Sequence, residues 1–199
     1  MGIAKFGGAQ FTDDAGFGRA QFSGTAWFDG AQFSGNTWFR RAQFSGAAEF
    51  GGVQFSGLAE FGDVQFSGDT WFRGAQFSGD TWFFGAQFSG LAGFRSAQFS
   101  GDAWFGGARF AVASGLGPLV CAGVVDLSGA VFEVPVTLEI AAREVRCERT
   151  RWESTATVRL RYATADLGHA VLSAPSASPE RNPASRPPTP PCTARGPSA

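Results

Sequence analysis

One histidine, one methionine and one tyrosine stand in a chain of 199 residues, which leaves little material for acid–base or metal chemistry. Charge is sparse too: 17% of residues are Asp, Glu, Lys or Arg, and the formal net charge is −1. That balance excludes a nucleic-acid binder held by a broad basic surface, which needs clustered cations to displace counterions. No direct nucleic-acid binding is therefore expected. No apolar run reaches the roughly 18–20 residues of a membrane-spanning helix, so no membrane partner is expected. The opening MGIAKFGGAQF lacks the apolar stretch of a secretory leader, and the expected compartment is the cytoplasm. Three cysteines, Cys121, Cys147 and Cys192, are odd in number and far apart; they build neither a disulfide framework nor a metal-ligand cluster.

What is abundant is glycine, with 28 residues, phenylalanine, with 22, and tryptophan, with 6. The phenylalanines are ordered. From Phe6 through Phe11, Phe17 and Phe22 to Phe110 their spacing alternates between five and six residues, a unit of eleven. Only Phe84 and Phe132 lie outside this run. Two residues before each lattice Phe stands Ala, Thr or Val, as at Ala9, Thr37, Val53 and Thr81. The residue between is polar or bulky: Gln10, Gln21, Gln32 and Gln43 in one set, Trp27, Trp38, Trp71 and Trp82 in another. A small–variable–Phe triplet is a two-residue alternation, so its first and third side chains share one face of a short strand. The connectors SGD, SGN and RG supply residues that turn corners at positive φ cheaply. Glycine density excludes a helix, since each interior Gly costs about 1 kcal/mol relative to Ala. Short strands joined by corners at fixed spacing predict a β-solenoid whose coils stack about 4.8 Å apart.

This small-x-Phe/Leu rule resembles the pentapeptide-repeat proteins. Its strict form appears as Ala-Asp-Leu-Gly-His at 165–169, followed by Ala-Val-Leu-Ser-Ala, and as Val-Asp-Leu-Ser-Gly at 125–129. The resemblance implies a right-handed, four-sided β-helix. This chain adds one residue to every second step, which predicts about 22 residues per coil where the family has about 20, with the enlarged corners on two edges. A flat, two-sided coil of eleven residues is the competing arrangement, with two Phe rather than four in each layer.

The rhythm continues through Leu116, Cys121, Leu127, Phe132 and Leu138, with Ser114 and Leu119 fitting poorly and Pro118 marking a distorted strand. It breaks across Glu139–Arg146. A five-residue step then runs through Cys147, Trp152, Thr157, Tyr162, Leu167 and Leu172, with Thr157 its weak member. Three segments follow: a pentapeptide-like solenoid at 1–138, a degenerate continuation or partial cap at 139–174, and a Pro/Ser/Ala-rich tail at 175–199 expected to be disordered.

Signatures of catalysis are missing. His169 reads as a solvated corner residue, far from any GxSxG-type nucleophile. Cys121 and Cys147 fall on inward lattice positions and read as buried, inert thiols. The glycines recur as corners without a phosphate-binding context. The expectation is a non-enzyme with no cofactor and no metal. A possible binding surface is formed by Trp27, Trp38, Trp71, Trp82 and Trp104, which precede their Phe and so point outward, as do Glu49 and Glu60. Exposed rings can bind sugars, bases or a protein; they can equally lie flat and shield backbone. On a 22-residue coil only Trp82 and Trp104 are vertical neighbours. Ladders of Gln, such as Gln10, Gln32, Gln54, Gln76 and Gln98, suit a structural role.

The first functional expectation is a structural or protein-interaction solenoid of unknown partner. Some pentapeptide-repeat proteins imitate duplex DNA and bind type II topoisomerases, so the resemblance carries that alternative; ligand binding by the Trp faces is a third. DNA mimicry needs a dense acidic surface, and residues 1–110 hold nine Asp/Glu against seven Lys/Arg, scattered along the chain. A homodimer through the N-terminal coil is expected as well, because Phe6, Phe11, Phe17 and Phe22 have no preceding layer to cover them.

Overall fold

The computed structural model describes residues 2–112 and 114–173. The tail at 175–199, with Cys192, lies outside the described residues. Every strand pair is parallel, and no helix occurs among the described residues. Over the first turns, pairing joins each strand to the one four places later. Ala4–Lys5 pairs with Ala26–Trp27, Gln10–Phe11 with Gln32–Phe33, Ala15–Gly16 with Thr37–Trp38, and Gln21–Phe22 with Gln43–Phe44. Each of these pairs is 22 residues apart, so the chain is a parallel β-solenoid of about eight turns. The eleven-residue coil is thereby overturned: Gln10 neighbours Gln32, not Gln21.

The two-residue alternation does what its chemistry requires. The small residue and the Phe are buried and the residue between is turned outward, as in Val53, Gln54 and Phe55. Along a column the rings stack at the spacing of the turns: Phe55 lies 5.1 Å from Phe77, and Phe77 4.6 Å from Phe99, with interplanar angles of 11° and 2°. Between columns the rings meet edge to face, as Phe55–Phe61 at 88° and Phe61–Phe72 at 85°. The backbone repeat imposes the first arrangement, and the ring quadrupole favours the second. Phe132 stacks on Phe110 and extends the interior. Phe84 is a surface residue over Gly106.

The corners are of two kinds. The five-residue steps make tight turns such as Phe39–Ala42, where the Ala42 N–H donates to the Phe39 carbonyl at 2.8 Å and Arg41 adopts φ 58°. Gly30 and Gly74 hold the same slot at φ 64°. The Ser-Gly corners carry the sixth residue and differ from expectation. Their glycines are required by close approach rather than positive φ, since a Cβ on Gly90 would lie 2.4 Å from the Gly68 carbonyl carbon.

The later turns shorten. Phe110 pairs with Phe132, 22 residues on, but Phe132 pairs with Trp152 and Trp152 with Leu172, each 20 on. The loss begins at a register shift between Leu116 and Leu119, around Pro118. Here two columns merge into single longer strands, Gly115–Cys121, Val136–Ala141 and Ala156–Arg161. Ser114 and Leu119, poor fits by rhythm, are buried nonetheless. The even five-step through Thr157 and Tyr162 does not hold. Val158 and Leu160 register with buried Leu138 and Ile140, while Tyr162 turns a corner at φ 59° and is 96% exposed. The strand Ala156–Arg161 runs straight through where the lattice would turn a corner, so Val158 and Leu160 take the positions in register with the interior and Tyr162 falls on the corner after it.

Candidate functional site

Rigid columns of outward side chains are the consequence of this register. Lys5, Trp27, Glu49, Trp71, Gly93 and Gly115 form one. Gly16, Trp38, Glu60, Trp82, Trp104 and Asp126 form another. The five tryptophans thus divide between two columns, and only Trp82 and Trp104 are adjacent in register. Trp27 and Trp82 are exposed, whereas Trp38, Trp71 and Trp104 are half-buried. The sixth, Trp152, faces inward and is buried, close to parallel with Phe132.

Each column repeats one motif: a glutamate on the turn between two tryptophans. Glu60, between Trp38 and Trp82, lies 3.7 Å from the Arg40 guanidinium. Glu49, between Trp27 and Trp71, has its pKa raised; burial is the main cause, Asp29 adds to it, and Arg73 opposes it. Lys5 lies over the Trp27 ring at 5.6 Å, and the Arg73 guanidinium over the Trp71 ring at 5.8 Å.

The sequence hides one feature of the first column. A Cβ on Gly93 would come within 2.5 Å of Trp71 Cε3, so the indole lies across this glycine. Beyond it is a cavity of about 230 Å³ lined by Trp71, Arg73, Leu91, Ala92, Gly93, Arg95, Gly115 and Gly117. The readable signal was glycine at 93, in a slot that most other units fill with Gln, Trp or Glu. Its partner, Gly115, became readable only with the register.

The remaining candidates stay apart. His169 is an exposed corner residue at φ 53°. Cys121 and Cys147 are buried free thiols. Burial pushes the Cys121 thiol up, and that of Cys147 up to about 11, which suppresses the reactive thiolate. The Gln side chains of both ladders are exposed, in register one turn apart. Among the described residues, no group of three or more His, Cys, Asp or Glu is placed to hold a metal ion. No helix among them is long and apolar enough to cross a membrane.

The class defined by this geometry is a parallel β-solenoid with a Phe-filled interior and a surface made of straight side-chain columns. The family model described as pentapeptide repeats (9 copies) matches residues 1–43, 39–87 and 72–114, and the chain belongs to the pentapeptide-repeat family. No curated protein matches it.

Proposed function

We propose that this chain is a non-catalytic cytoplasmic rod, a right-handed, four-sided β-helix that presents its outward columns to a protein partner. One observation carries the reading: Trp38, Glu60, Trp82 and Trp104 are locked in backbone register on consecutive turns. A surface so fixed binds without the entropy cost of ordering loops. The interior supports the same reading, because stacked rings fill it and leave the chemistry to the outside. Arg40 and Arg41 lie beside Glu60 and Asp63, which weakens any continuous acidic stripe of the kind DNA mimicry needs.

The experiment is affinity capture from native cytosol with the wild-type chain and with Trp82→Ala. A partner retained by the first and lost by the second supports the reading. Equal capture by both removes this column as the interface. Inhibition in a topoisomerase supercoiling assay would replace the reading with DNA mimicry, and saturable quenching of Trp fluorescence by an oligosaccharide would replace it with ligand binding.

Self-association belongs to the same proposal. Phe6, Phe11, Phe17 and Phe22 are half-buried, whereas Phe28, Phe39 and Phe50 are fully buried. A second copy placed against the first turn covers that layer. Light scattering that gives a monomer across micromolar concentrations would refute the dimer.

A further inference from the structure

The cavity beside Trp71 names the chemistry of a partner, and this inference rests on reading the chain as a protein-interaction rod. Its column runs Trp27, Glu49, Trp71 and then two glycines, Gly93 and Gly115. The indole of Trp71 occupies the space above the first. The second is open: a Cβ at Gly115 meets nothing within 4 Å. The Gly115 carbonyl already accepts the Phe94 N–H at 3.1 Å, so the floor offers apolar surface more than free hydrogen-bonding groups.

Charge frames this apolar floor. Arg73 and Arg95 hold the same corner position on successive turns, with the Gly74 N–H donating to the Arg95 carbonyl at 2.9 Å, so their backbones are about 4.8 Å apart. Neither forms an ion pair with a described carboxylate within 4.0 Å, although seven other arginines do. Asp29 and Glu49 lie with Arg73 around a neighbouring hollow on the earlier turns. They repel an incoming acid there and leave the Arg95 side as the favoured position.

We propose that this cavity receives one apolar side chain of a protein partner whose flanking acidic residue pairs with Arg95. Size decides against a whole cofactor, since about 230 Å³ falls short of the roughly 300–1,000 Å³ of small-molecule pockets. Residue type agrees, because Trp and Arg are the side chains that most often carry binding energy at protein interfaces. Arg95, on the side away from Asp29 and Glu49, selects acid over base.

The test uses fluorescence anisotropy of three labelled peptides on the full chain: Glu-Glu-Phe-Glu-Glu, Lys-Lys-Phe-Lys-Lys and Glu-Glu-Gly-Glu-Glu. The first binds, and the other two bind at least about tenfold more weakly. Gly115→Leu fills the cavity from an open position, and Arg95→Glu reverses one charge; each weakens the first peptide at least about tenfold, with the circular dichroism spectrum and melting temperature unchanged. Failure of the first peptide to saturate by about 1 mM, or equal binding by Gly115→Leu, overturns the site. A cytosolic partner held equally by wild type and Gly115→Leu overturns this site alone and leaves the interaction reading in place. Peptide binding that Gly115→Leu abolishes, with no cytosolic partner found, sustains the site and counts against the broader reading.

Discussion

Asp80 caps the turn that follows it: the Asp102 N–H donates to Asp80 Oδ1 at 2.9 Å, and Asp102 Oδ1 accepts the Val124 N–H at 2.8 Å. The same bond joins Asp14 to Asn36, Asn36 to Leu58, and Asp69 to Leu91. The acid in Ser-Gly-Asp is therefore an inter-turn staple. It supplies an acceptor for an N–H at a corner where the strand ladder has ended.

Asp80→Ala is expected to cost about 1 kcal/mol, in the range of a lost helix cap, while Asp80→Asn keeps most of the stability, as Asn36 does the same task natively. The denaturation midpoint measures both. An equal loss from the two substitutions would mean that charge, rather than the hydrogen bond, is responsible.

Phe77→Ala is expected to cost about 3–5 kcal/mol, because stacked neighbours at 5.1 and 4.6 Å cannot close the void. Trp82→Ala, on an exposed outward slot, should cost under about 1 kcal/mol. Thermal melts of the two variants side by side check the assignment of inside and outside.

Thr81→Val should stabilise the chain by about 1 kcal/mol. Its buried hydroxyl has no partner in the interior, and removing an unsatisfied polar group without leaving a void is favourable. Thr70→Val should gain less, since Thr70 Oγ1 donates to the Gly68 carbonyl at 3.4 Å. A loss of stability in Thr81→Val would show that the hydroxyl is satisfied after all.

Alkaline pH should weaken the fold through Cys147. Burial pushes its folded pKa up to about 11, above that of a free thiol, so the folded chain holds the proton more tightly than the unfolded one. The contribution is complete below pH about 9 and declines as pH rises from there toward about 11, with each pH unit worth about 1.4 kcal/mol at most. Cys121, also raised, adds in the same direction. Denaturation midpoints followed from pH 7 to 11 should fall more steeply for wild type than for Cys147→Val.

The lattice of Phe and small residues determined the β-solenoid and the inward turn of each lattice Phe, because one rule written every eleven residues sets which side chains share a face; pairing at 22 rather than eleven residues was decided by the structure. Inward Cys121 and Cys147 and outward Trp27 and Trp82 followed from the same alternation. The tertiary structure decided what depends on neighbours 20 or 22 residues away. It alone showed that Asp80 reaches the next turn, that the Ser-Gly glycines are needed for close approach, and that the later turns shorten to 20 residues. The cavity beside Trp71 belongs to this second group. A missing side chain becomes a site only when the register sets Gly93 and Gly115 on successive turns, between an indole and two guanidinium groups. Alternation is a local property of the chain and can be read along it; stacking brings together residues that the sequence keeps a whole turn apart.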